Sequence, residues 1–129
     1  MTLAKNVRTL GAGLTVLAIL GASLSPSAFA VPSKGNPALG KPLFASKCVA
    51  CHKADGVGGV KLTGNPTPNW KDPKTWADPK RKAGDDYLRD CITNGKIKSG
   101  MVAWGKTGQL KPNQIEDLIA YVNTLAKKK

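Results

Sequence analysis

Five consecutive residues, Cys48-Val49-Ala50-Cys51-His52, place two thiols and an imidazole within little more than one helical turn. Residues three apart on a helix share a face. Two thiols so spaced can add to the two vinyl groups of one haem as thioethers, while the imidazole beside the second thiol turns under the iron. C-x-x-C-H is accordingly the pattern of covalent haem attachment. The other chemistries of a Cys pair fit less well. A thioredoxin-like C-x-x-C needs a βαβ setting, and no strand-rich pattern surrounds this one. A structural zinc site needs four ligands, but the chain holds only one His and one further Cys, Cys91. Three cysteines, an odd number, also argue against a pure disulfide framework.

The N-terminus bears on the second iron ligand. Lys5 and Arg8 precede an uncharged run from Thr9 to Ser33, with an apolar part from Leu10 to Leu24 and the small-x-small sequence Ser27-Ala28-Phe29-Ala30. Residues 1–30 therefore read as a secretory signal peptide, with the mature domain spanning 31–129 and lying in the periplasm. An uncleaved membrane anchor is the alternative, but Gly11, Gly13, Gly21, Ser23, Ser25 and Pro26 interrupt the run. No Cys stands at the cleavage point to take a lipid. Cleavage removes Met1 and leaves Met101 as the only thioether. Haem iron in electron-transfer proteins commonly pairs a proximal His with a Met. With His52 used below the ring, Met101 is the expected ligand above it. It sits in a segment bounded by Gly95 and Gly105, suited to an irregular loop over a ring.

Elements must hold these groups in place. Asn36 to Ala50 reads as a helix with Asn36 as N-cap, Pro37 at its first position and Leu39, Leu43 and Phe44 on one face, delivering Cys48 and Cys51. Lys53 to Pro79, rich in Gly, Pro, Asn and Lys, reads as loop. Asp85 to Asn94 reads as a short helix closed by Gly95, with Leu88, Cys91 and Ile92 facing inward; Cys91 is expected to be a buried small hydrophobe, with a reactive or intermolecular thiol as the alternative. A last helix from near Pro112 carries an apolar stripe of Ile115, Leu118, Ile119, Val122 and Leu125. Glu116 and Asp117 near its start and Lys127 to Lys129 at its end complement its dipole.

Gly40, Phe44, Cys48, Cys51, His52, Pro68, Met101 and the terminal run Ile115-Glu116-Asp117-Leu118-Ile119-Ala120-Tyr121-Val122 together resemble the class I cytochrome c family over nearly the whole mature chain. The resemblance implies a compact all-α cytochrome c fold, three to five helices wrapped around one covalently attached haem c. It implies that the first and last helices cross where Gly40 and Phe44 meet Tyr121. It also implies that a proline carbonyl accepts the N–H of the proximal imidazole; Pro68, followed by Asn69, is the better match, and Pro66 is the rival. Trp70 departs from the pattern by standing where the family often has a small apolar residue. Trp104, three residues after Met101, is expected to shield the haem, and Trp76 to anchor a loop or the surface.

An iron closed by His52 and Met101 leaves no position for substrate, so the expected function is one-electron transfer rather than catalysis, as a free carrier or as the haem subunit of an oxidoreductase. A gas-binding protein would need Met101 to be absent from the iron. Cleavage takes the net charge from +12 to +10 over 99 residues. Much of that charge serves solubility. Lys47, Lys53, Lys98 and Lys106 flank the ligand segments and would steer an acidic redox protein or membrane oxidoreductase, or an anionic membrane surface, toward the haem edge. The compartment and the lack of a binding motif exclude nucleic acid. The expected state is a monomer.

Overall fold

The computed structural model describes residues 34–81 and 84–126. The expected leader, cleavage site and mature N-terminus at Val31, and the expected dipole partners Lys127 to Lys129, lie outside the described residues. Helix α1 (Pro37–Lys47) starts as its sequence dictates: the Asn36 side chain accepts the Ala38 N–H at 2.9 Å, and Pro37 occupies a first-turn position that needs no donor. The continuous helix expected to Ala50 does not form. Helix α1 stops at Lys47, Cys48 caps it with φ at −120° and its N–H still donating to the Phe44 carbonyl, and a separate turn, α2 (Val49–His52), follows.

The long segment after His52 is mostly loop, with one correction. A short helix, α3 (Pro73–Ala77), forms where Asp72 accepts the Lys74 N–H at 2.9 Å and Pro73 begins the turn, and a 3-10 turn follows at Pro79–Arg81. Helix α4 (Asp85–Asn94) buries Leu88, Cys91 and Ile92 and ends at Gly95. Helix α5 (Pro112–Leu125) opens with Pro112, and the Gln114 side chain accepts the Lys111 N–H at 2.9 Å. These five helices, with no strand among the described residues, make the expected all-α fold.

The core lies where α1 and α4 pack on α5. Phe44 and Leu118 are its most completely buried side chains, joined by Ile115, Ile119, Val122, Leu88 and Ile92. Of the expected inward face of α1, Phe44 is buried and Leu43 packs against the core, but Leu39 is 57% exposed; the contact with α5 is made by Gly40 and Phe44, as the resemblance implies. Gly40 has no side chain to score as apolar, yet its smallness lets the two backbones meet. A Cβ there would stand 2.0 Å from the Asp117 carbonyl oxygen and 2.9 Å from the Tyr121 Cβ. Beside it the Phe44 and Tyr121 rings pack at 5.2 Å, tilted by 58°. Gly40→Ala is therefore expected to push the helices apart and lower stability by about 1–3 kcal/mol, the range for overpacking. Urea unfolding of the haem-loaded protein followed by far-UV circular dichroism measures this; an unchanged midpoint would contradict the close crossing.

Glu116 and Asp117 do more than balance a dipole. Both are buried. Asp117 Oδ1 accepts the Asn36 N–H at 2.7 Å, tying the start of α1 to α5. Glu116 receives Arg89 of α4 bidentately, Nε to Oε1 at 2.6 Å and Nη2 to Oε2 at 3.0 Å, and Arg89 also reaches Asp86. The ion pair fastens α4 against α5, and with it the wall that α4 supplies to the site.

Candidate haem site

Between these helices lies a cavity of about 320 Å³, within the usual range for cofactor pockets. Helices α1 and α2 contribute Phe44, Cys48, Cys51 and His52 to its wall, α4 contributes Leu88, Cys91 and Ile92, and α5 contributes Leu118 and Val122. The segment after α4 closes it with Met101 and Trp104, and the loop after α2 with Pro66, Pro68 and Trp70. The six residues expected to hold or pack on the haem, Cys48, Cys51, His52, Met101, Pro68 and Trp104, all line this one space.

The backbone of α2 is held firmly. The Cys51 and His52 N–H groups donate to the Cys48 carbonyl at 3.1 and 2.9 Å. The Thr67 hydroxyl donates to the Cys51 carbonyl at 2.8 Å, and the Gly58 N–H to the His52 carbonyl at 3.2 Å. Gly58, at φ +59°, admits the neighbouring chain: a Cβ there would lie 2.3 Å from the Pro68 carbonyl oxygen. Met101 is clamped through its backbone, its N–H donating to the Lys96 carbonyl at 3.2 Å and its carbonyl accepting the Lys96 N–H at 3.1 Å.

Electrostatics separates the possible chemistries. Burial pushes the Cys48 thiol up to about 12, a shift that the neighbouring Lys47 ammonium only partly offsets. A thiol–disulfide oxidoreductase needs the opposite shift, toward thiolate. Among the described residues no three His, Cys, Asp or Glu side chains converge as a metal-ion site, which removes the zinc alternative there. Burial lowers His52 to about 4, so the imidazole is neutral and its lone pair available to a metal.

Nδ1 of His52 is buried and has no hydrogen-bond partner, so the expected bond to Pro68 is not made in this structure. A neutral imidazole set beside two thiols in an apolar cavity closed by a thioether is a donor set that fits a haem. Cys48, Cys51, His52 and Met101 are the residues that would hold it. When bound, its iron exchanges one electron between ferric and ferrous states.

Two features differ from expectation, the ring that Trp70 covers and the placement of the lysines, and two agree with it, Trp76 and Cys91. The His52 ring stacks on Trp70, centroids 4.5 Å apart and planes 13° from parallel. Trp76 does serve as an anchor, through its Nε1 donating to the Trp70 carbonyl at 2.8 Å. Of the four lysines expected at the haem edge only Lys47 lines the cavity, its Nζ 4.8 Å over the Trp104 ring, and Lys96 lines it as well. Cys91 is a buried residue of the wall, as a small hydrophobe would be.

An all-α domain with a C-x-x-C-H turn facing an apolar, ring-sized cavity is a c-type cytochrome domain, a haem-based electron carrier. Residues 35–122 match the family described as cytochrome C oxidase, cbb3-type, subunit III, and the chain belongs to that family. No curated protein matches the chain. Among the described residues no helix is long and apolar enough to cross a membrane.

Proposed function

We propose that the chain carries a single haem c, bound through Cys48 and Cys51 and ligated by His52 and Met101, and shuttles one electron at a time between redox partners. The observation that carries this reading is the convergence of two thiols, one imidazole and one thioether on a single cavity. One haem follows from one His in the chain and one C-x-x-C-H. With a haem in place Nδ1 of His52 carries the proton and needs an acceptor; Pro68, in the same wall, is the residue we assign to it. Trp104, half-buried beside Met101, limits water at the ring. Potentiometric titration is expected to give one reversible wave following a one-electron slope of about 59 mV per decade. Two waves would contradict the single haem.

The leader composition supports export and a periplasmic location. The family description supports service to a membrane oxidoreductase, with this chain as electron donor, acceptor or haem subunit. The cavity rim combines exposed apolar residues, Leu62 and Val102, with the cations Lys47 and Lys96, a surface suited to an acidic partner with an apolar centre. The chain acts as a monomer between encounters. Electron transfer to an acidic partner is expected to slow steeply as salt rises, because screening shortens from about 30 Å at 0.01 M to about 10 Å at 0.1 M. Lys47→Glu should slow stopped-flow association more than Lys41→Glu, which changes net charge equally but does not line the cavity. Equal effects would leave net charge alone as the cause and rule out docking at the rim.

A further inference from the structure

We propose that the two short turns within residues 70–81 are a docking surface for the anionic headgroups of a phospholipid bilayer. The surface is separate from the cavity rim, which stays free for a protein partner.

The segment holds two copies of one pattern, Trp70-Lys71-Asp72-Pro73-Lys74 and Trp76-Ala77-Asp78-Pro79-Lys80. Each copy folds in the same way. The Asp carboxylate accepts the N–H of the Lys two residues on, at 2.9 Å in both, and the Pro opens a turn, α3 in the first copy and the 3-10 turn in the second. Both tryptophans turn inward: Trp70 is buried, and Trp76 packs against the core with its indole N–H on the Trp70 carbonyl at 2.8 Å. What is left outside is cationic. Lys71, Lys74 and Lys80 are exposed and make no ion pair among the described residues, while Asp72 and Asp78 are half-buried. The next carboxylates along the chain, Asp85 and Asp86, are engaged by Asn123 and Arg89. The two turns touch each other. A five-residue helix such as α3 spans about 7.5 Å, less than the screening length of about 10 Å at 0.1 M salt, so the charges act together.

The chemistry of this surface selects its partner. A protein interface needs an apolar centre, and the large exposed hydrophobics, Leu39, Leu62, Ile97 and Val102, all lie outside the segment. None of the three lysines lines the cavity. Cations without an apolar centre fit diffuse negative charge, which the headgroups of an anionic bilayer offer. Docked there, the carrier stays at the membrane between electron transfers.

Co-sedimentation of the haem-loaded protein with vesicles tests this. Vesicles of equal parts phosphatidylglycerol and phosphatidylcholine are expected to bind it at low salt, and pure phosphatidylcholine is not. Binding should vanish at about 1 M salt, where screening shortens to about 3 Å. Lys74→Glu with Lys80→Glu should lower the vesicle affinity at least about tenfold, whereas Lys41→Glu with Lys111→Glu, an equal change in net charge at exposed lysines elsewhere, should keep most of it. No binding to the anionic vesicles, binding that survives high salt, or equal losses in the two double variants would overturn the proposal. So would a Lys74→Glu, Lys80→Glu protein that binds vesicles normally but reacts slowly with an acidic protein, since the surface would then be a protein dock. Vesicle binding is read without the iron, so failure of the electron-transfer reading would leave this result standing.

Discussion

Replacing Met101 with alanine is expected to leave the haem covalently attached while opening the iron to external ligands. The expected links, Cys48 and Cys51, belong to another segment of the cavity wall, and Met101 is held by its own backbone bonds to Lys96, so its side chain can be shortened without disturbing α2. The reduced variant should bind carbon monoxide at neutral pH and the wild type should not. The oxidised variant should lose the weak absorption at the red end of the visible spectrum that reports iron–sulfur ligation. Its reduction potential should fall by an appreciable part of the roughly 0.8 V range that axial ligands set, because the thioether favours ferrous iron. Retention of the band would mean that Met101 is not the ligand.

The second large effect lies at the two thiols. Removal of both, as Cys48→Ala with Cys51→Ala, is expected to abolish covalent attachment, so that acidified organic solvent extracts all of the haem. Either single substitution should leave one thioether and resist extraction. Burial holds Cys48 as a thiol, which disfavours disulfide exchange. Complete extraction from either single variant would show that the remaining cysteine is not a haem link.

Much of the site could be read from residue types because its chemistry is concentrated in a few rare ones. Cys48, Cys51 and His52 form a local pattern, and Met101 is the one methionine that follows the expected leader. The same holds for α4, whose inward face and glycine stop are both written in short-range order. What escaped depends on groups distant in sequence. Leu39 fits the helical period yet points to solvent, because the face of α1 is decided by how closely Gly40 lets α5 approach. Glu116 meets Arg89 across 27 residues, so its proximity to a helix start was visible and its partner was not. Helix α3 was hidden by a Pro- and Lys-rich composition, although Asp72 followed by Pro73 is an N-cap signal. Trp70 looked like a misfit because only the folded loop shows which ring it covers.

The most direct test of the whole account is the intact mass of the exported protein in denaturing acid, where only covalent groups remain. The account expects a single species equal to the chain from Val31 plus one haem. A mass equal to the bare chain, or one carrying two haems, would contradict it.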